Sequence, residues 1–233
     1  MAKKVGIIGA MEAEVAYLKS LAAGRETAAG GLVFYEGAIG GTDVVVVRSG
    51  VGKVNAALCA QRLIMQFGVT HVVNTGIAGA AARGLGVLDF VASVDAVYHD
   101  MDATGFGYAP TVIPQMDCSV FPADKAMLAA AQEAFAAGDF GGHRLVAGRV
   151  ATGDQFIADK AVKARIVGTC SPACVEMEGA AIAHACWLHG TPFLILRCMS
   201  DMADENGESA SAFNEKAAAE MSAKLVVNLL EKL

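Results

Sequence analysis

Three acidic residues stand at positions where a carboxylate can do chemistry: Glu14, Glu178 and Asp201. Glu14 follows the apolar run V-G-I-I-G-A at the start of a helical pattern. Glu178 opens the helix of V-E-M-E-G-A-A-I-A-H. Asp201 ends the stretch F-L-I-L-R-C-M-S-D. Taken singly, each is by default a solvated surface carboxylate. Glu14 and Glu178 would also be favoured at helix starts simply because unpaired N–H groups collect there. Taken together they fall after strands or at helix starts, on what should be one edge of a sheet. Ligands of open α/β sheets sit beyond the carboxyl ends of the strands. Carboxylates gathered there suit general acid–base work on a neutral or cationic substrate.

The elements that must position them follow from the apolar pattern. The segment Pro172 to Asp204 reads as acidic turn, helix, short loop, buried strand and polar tip. Gly190 and Pro192 stop its helix. Phe193 to Leu196 shows no alternation, so it predicts a strand covered on both faces. Upstream, Val5 to Ala10 predicts a strand and Glu12 to Leu21 a helix. Phe34 to Ile39 and Asp43 to Arg48 predict two strands joined at Gly40-Gly41. Val44 to Val47 is β-branched throughout, which suits a central strand. Helices are expected over Lys53 to Phe67, Ala123 to Ala137, Asp159 to Val167 and Ser211 to Leu233, with strands over Val69 to Asn74, Phe90 to Tyr98 and Arg144 to Val150. T-G-I-A-G-A, after Asn74, reads as a glycine loop whose free N–H groups can hold a polar ligand. His99 to Pro122 is irregular. Strands alternating with helices indicate a single α/β domain over residues 1–233, three-layered, with a mixed central sheet flanked by helices.

Composition narrows the function classes. The chain has 233 residues, 55% of them hydrophobic, which is ample for a large core. A formal net charge of -6 argues against a general nucleic-acid binder. No stretch approaches the ~20 apolar residues that span a membrane. Six cysteines lack zinc-site spacing and read as reduced thiols of a cytoplasmic protein. His99-Asp100-Met101-Asp102 reads as a solvated loop or subunit contact rather than a metal cluster. His184 and His189, five apart on one helix, read as structural. The first glycine turn has Gly6 and Gly9 but not G-x-G-x-x-G, and G-V-G-K-V lacks the hydroxyl residue of a P-loop.

Five motifs in order carry a resemblance: G-I-I-G-A-M-E-A-E-V, S-G-V-G-K-V-N-A-A, N-T-G-I-A-G-A, V-E-M-E-G-A-A-I-A-H and R-C-M-S-D-M-A-D. The chain resembles the 5′-methylthioadenosine/S-adenosylhomocysteine nucleosidases of the nucleoside phosphorylase-like superfamily. That resemblance implies hydrolysis of an adenine N-glycosidic bond with no metal or organic cofactor. It implies Glu14 as the base that activates water and Asp201, held by Ser200, as the acid that protonates adenine at N7. Met177 and Glu178 would bind the ribose, and Arg197 would stand near the water. Phe156 and Ile157 would receive the base, beside Gly79. Met11, Val51 and Phe213 would line the pocket for the 5′-thioalkyl group. Phe106 and Pro114 would come from a neighbouring subunit, implying a homodimer. Ile77 departs from the serine of many members, whose hydroxyl can help hold the water. Three rival readings stay open. Arg48 keeps a phosphorylase in play, an aminofutalosine substrate is a second, and a non-catalytic nucleoside-binding protein is a third.

Overall fold

The computed structural model describes residues 3–204 and 212–233. Among the described residues ten strands and six helices run in chain order: β1 (Lys4–Gly9), α1 (Glu12–Ala22), β2 (Arg25–Ala29), β3 (Leu32–Ile39), β4 (Thr42–Arg48), α2 (Lys53–Phe67), β5 (His71–Ala80), β6 (Phe90–Tyr98), β7 (Phe121–Pro122), α3 (Lys125–Ala137), β8 (Leu145–Thr152), α4 (Lys160–Cys170), β9 (Cys174–Glu176), α5 (Gly179–His189), β10 (Phe193–Asp201) and α6 (Ala212–Leu230). All ten strands join one mixed sheet with helices packed against it, the α/β arrangement expected from the alternating pattern.

The sheet has two parts. An open wing runs β5-β1-β4-β3-β2, parallel as far as β4 and antiparallel beyond it. β4 lies inside it, as four consecutive valines predict, with Val44 to Val47 all buried. The other part closes on itself. β10 pairs with both β5 and β6, β6 with β8, β8 with β9, and β9 back with β5. Closure removes the edges that an open sheet would leave unpaired. It also draws the ends of β5, β9 and β10 together.

Closure corrects two local expectations. T-G-I-A-G-A is not a free loop but the second half of β5, hydrogen-bonded to β10 from Thr75 to Gly79 and to β9 at Gly79 and Ala80. Its small residues permit that close approach, and their N–H groups are committed to neighbouring strands, to Glu14 and, at Gly76, to the Ser222 hydroxyl. The polar tip after Leu196 is likewise strand: Arg197 to Asp201 continue β10 and are as buried as the apolar half before them. α2 and β6 match their predicted bounds. Ser211, the expected start of the last helix, lies outside the described residues.

Candidate active site

α1 begins where β1 ends, and its first turn carries Glu14 inward, 1% exposed. Three main-chain N–H groups hold the carboxylate. Oε2 accepts from Ala10 at 2.6 Å and Met11 at 2.9 Å, and Oε1 accepts from Ile77 at 3.0 Å. Oε1 is thus left with acceptor capacity toward the cavity. Gly76 makes this approach possible, because a Cβ there would stand 2.3 Å from Glu14 Oε1 and 2.4 Å from Arg197 Nη1.

Arg197, on β10, is 1% exposed and surrounded by acceptors. Nη2 donates to Asn74 Oδ1 at 2.6 Å and to Glu176 Oε2, and Nη1 donates to the Ile77 carbonyl at 3.3 Å. Glu178 Oε2 lies 3.5 Å and Glu14 Oε1 3.9 Å from the guanidinium. Three buried carboxylates therefore share one buried cation. Burial works against the Arg197 charge, but Glu176, Glu178 and Glu14 outweigh it and hold its pKa above the ordinary arginine value.

Glu176 and Glu178 sit where β9 hands over to α5. Glu176 Oε2 accepts from the N–H groups of Glu178 at 3.0 Å and Gly179 at 2.7 Å, which satisfies the start of α5. Its other oxygen accepts from Thr152 Oγ1, whose lone pair caps Ala180 N at 2.7 Å. Glu178 is the N-cap residue, and its Oε1 accepts from Gly52 N at 2.9 Å. Burial pushes Glu178 up to about 7, with Arg197 opposing the rise and the Glu176 charge adding to it. Glu176 is the residue that the motif reading missed. Its signal was present, since V-E-M-E places Glu176 and Glu178 on the same side of an extended segment.

Asp201 ends β10. Oδ2 accepts from Ser200 Oγ at 2.8 Å and Oδ1 from Ala203 N at 2.7 Å, so the carboxyl group is fixed in direction. Gly79 faces it, and a Cβ there would lie 2.9 Å from Oδ1. One cavity is lined by Glu14, Glu178, Asp201 and Arg197, and also by Met11, Val51, Ile77, Gly79, Phe156, Ile157, Met177 and Ser200. Glu215, from the start of α6, and Gln155 line it as well. Both went unassigned in the motif reading.

Phe106, on a turn of 3₁₀ helix, is 88% exposed, and neither it nor Pro114 lines the cavity of its own chain. The side chain of Phe213 lies outside the described residues. Among the described residues no cluster of His, Cys, Asp and Glu is arranged to hold a metal ion. His99-Asp100 is not a free solvated loop, because the Asp100 carboxylate is paired with Lys53. His184 packs against Phe121 and contacts the Tyr98 hydroxyl, in keeping with a structural role.

A partly closed mixed sheet with buried carboxylates around one cavity defines a class, and the family model described as Phosphorylase superfamily matches residues 4–231. Within that superfamily the chain belongs to the 5′-methylthioadenosine/S-adenosylhomocysteine nucleosidase family. It is 42% identical to the nucleosidase of that name from Treponema pallidum (strain Nichols), covering 98% of this chain and 93% of the relative. The nucleosidase of Colwellia psychrerythraea 34H, solved in complex with adenine, superposes with a TM-score of 0.94 at 40% identity, covering 100% of this chain and 96% of the other. Futalosine hydrolase of Helicobacter pylori strain 26695 superposes at 0.93 with 31% identity, covering 100% and 99%.

Proposed function

We propose that this enzyme hydrolyses the adenine N-glycosidic bond of 5′-methylthioadenosine and S-adenosylhomocysteine, releasing adenine and the thioribose. The observation that carries the reading is the meeting of Glu14, Glu178 and Asp201, far apart in the chain, around one cavity. Asp201 protonates adenine at N7 as the bond breaks, turning a poor leaving group into a neutral base. General acid help of this kind contributes ~10²–10⁴-fold. Glu14 takes the proton of the attacking water at the oxygen that its three N–H donors leave accessible. Glu178 accepts from the ribose hydroxyls, and its negative charge favours the cationic sugar of the transition state over the neutral ground state. Phe156 and Ile157 receive the base, Met177 packs on the sugar, and Met11, Val51 and Phe213 receive the 5′ group.

Hydrolysis is preferred to phosphorolysis on the charge of the site. Arg197 is the only cation of the described cavity lining, and three carboxylates already surround it. Arg48 lines a neighbouring groove rather than this cavity and stands 3.9 Å from Glu12. The retained acid and base speak against a purely nucleoside-binding protein. The test is adenine release in phosphate-free buffer, comparing methylthioadenosine, S-adenosylhomocysteine and aminofutalosine. Turnover of the first two without phosphate is expected, and strict dependence on phosphate would overturn the reading. Aminofutalosine is included because the futalosine hydrolase superposes over the whole chain.

The working form is a homodimer in the cytoplasm, with Phe106 and Pro114 completing the neighbour's 5′ pocket. Support comes from the exposure of Phe106 and of Val54, Leu58 and Met65 along α2, an apolar stripe of the sort that interfaces cover. The single chain 1–233 acts as one catalytic domain.

A further inference from the structure

Outside the cavity lining, Lys53, Asp100 and Asp154 form a compact cluster that the reaction itself does not use. Asp100 Oδ2 accepts from Lys53 Nζ at 2.6 Å and from the main-chain N–H of Asp154 at 3.0 Å. Asp154 Oδ1 accepts from the main-chain N–H of Lys53 at 2.9 Å, and its Oδ2 lies 3.6 Å from Lys53 Nζ. One end of the cluster adjoins the cavity lining, and the other adjoins a main-chain donor to a lining carboxylate. Gly52 precedes Lys53 and donates its N–H to Glu178. Gln155, Phe156 and Ile157 follow Asp154 and line the cavity. The connection to Gly52 needs outside restraint, because Gly50 and Gly52 have φ of 84° and 98°, a region where glycine is held by little of its own. Asp100 and Lys53 keep about a quarter of their side chains exposed, at 21% and 27%. Their pairing is therefore less screened than a surface ion pair.

We infer that Asp100 is a positioning residue that, through Lys53 and Asp154, locks the base-facing segment 155–157 to the Gly52 N–H that holds Glu178. This rests on the reading above, in which that segment takes adenine and Glu178 the ribose. One carboxylate thereby sets the distance between the two ends of the nucleoside. Nucleosides gripped at only one end gain little from it.

The test compares wild type with Asp100→Asn, Lys53→Gln and Lys53→Arg, following adenine release from methylthioadenosine over a range of pH together with Tm. Loss of a charge-assisted pair should raise KM about tenfold, with a smaller fall in kcat. Glu178 faces Arg197 from β10, Glu176 from β9, Glu14 from α1 and the Gly52 N–H before α2. Only the last of these depends on the cluster. Losing it disfavours the charged form, so the acid limb of kcat/KM moves to higher pH. Lys53→Arg should keep KM within about threefold of wild type, because it retains the charged donor. If KM and the acid limb stay within about twofold of wild type while Tm falls, the cluster is merely structural and the inference fails. Should Asp100→Asn not fold, Lys53→Gln removes the same ion pair and decides the question. A wild-type enzyme that releases no adenine would instead sink the functional reading on which this one stands.

Discussion

Phe193–Leu196 and Arg197–Asp201 are two halves of β10, equally buried and opposite in chemistry. The first half is apolar, and Leu194, Ile195 and Leu196 are fully buried in the core. Burying such side chains stabilises the fold by ~1.5–3 kcal/mol each. The second half takes a guanidinium, a hydroxyl and a carboxyl group out of water, which costs stability unless every group finds partners. The guanidinium finds most of its partners on other elements, Glu14 of α1, Asn74 and Ile77 of β5, Glu176 of β9 and Glu178 just before α5, although its Nε has none. The Ser200 hydroxyl and the Asp201 carboxyl group bond to each other, to the Ala78 carbonyl and to the Ala203 N–H. Depth alone therefore does not separate scaffold from site in this strand. What separates them is whether burial lowers the free energy of the fold or is opposed by it.

The sharpest way to break that contrast is one substitution in each half. Asp201→Asn should lower kcat by about 10²–10⁴-fold, the contribution of a lost general acid, with Tm nearly unchanged. Asparagine can still accept the Ala203 N–H, so the local fold is kept. Leu194→Ala should do the reverse, costing about 2–5 kcal/mol in denaturant unfolding with kcat per folded molecule intact. Normal turnover in Asp201→Asn would refute the acid assignment.

Glu178→Gln tests the contrast more finely, because it should lose activity and gain stability. Burial raises the Glu178 pKa from 4.5 to about 7. Between those values the folded chain binds a proton that the unfolded chain has lost, so stability falls as pH rises through this window. Above pH 7 the wild type carries the full penalty and the glutamine variant none. Thermal melts should show Glu178→Gln more stable at pH 8, by on the order of 2 kcal/mol, and level with wild type near pH 4. If Glu178 has the role proposed for it, the same titration predicts that wild-type kcat/KM rises with pH up to about 7, as Glu178 becomes an anion. A variant destabilised at pH 8 would mean that Glu178 supports the fold rather than burdening it.

The two halves of β10 also differ in how far the sequence reveals them. Phe193 to Leu196 is legible as a buried strand because an unbroken apolar run has few other readings. Arg197 to Asp201 looks like a solvated tip, since polar side chains ordinarily mark exposure. Only partners brought up by long-range pairing, the carboxylates of α1 and β9 and the acceptors of β5 among them, make its burial tolerable. T-G-I-A-G-A misleads for a related reason. Glycine and alanine suggest a loop, yet here they let β5 pair with β10 and β9 and let Glu14 and Arg197 close over Gly76. The three residues of β9 are too few to leave a period. α2, by contrast, has a glycine at each end, Gly52 and Gly68, and its bounds can be read directly. Three carboxylates of the cavity lining, Glu14, Glu178 and Asp201, are easier to pick out of the sequence than the backbone around them, because their motifs alone single them out. Their convergence needed the closed sheet.

The smallest expected effect falls at Ile77, where main chain and side chain have separate tasks. Its N–H holds Glu14 and its carbonyl accepts from Arg197, while its half-buried side chain packs against the core. Ile77→Ser leaves both main-chain bonds in place and adds one hydroxyl near the proposed water. A single neutral hydrogen bond is worth about 0.5–1.5 kcal/mol, so kcat should rise by less than about tenfold, with a modest fall in Tm from lost packing. A rate change within that range would show that the backbone of β5, rather than the side chain it carries, organises the base. A fall of 100-fold or more would place Ile77 in the apolar half of the comparison, as a residue whose packing holds Glu14 in line. The polar site would then depend on its scaffold more closely than the hydrogen bonds imply.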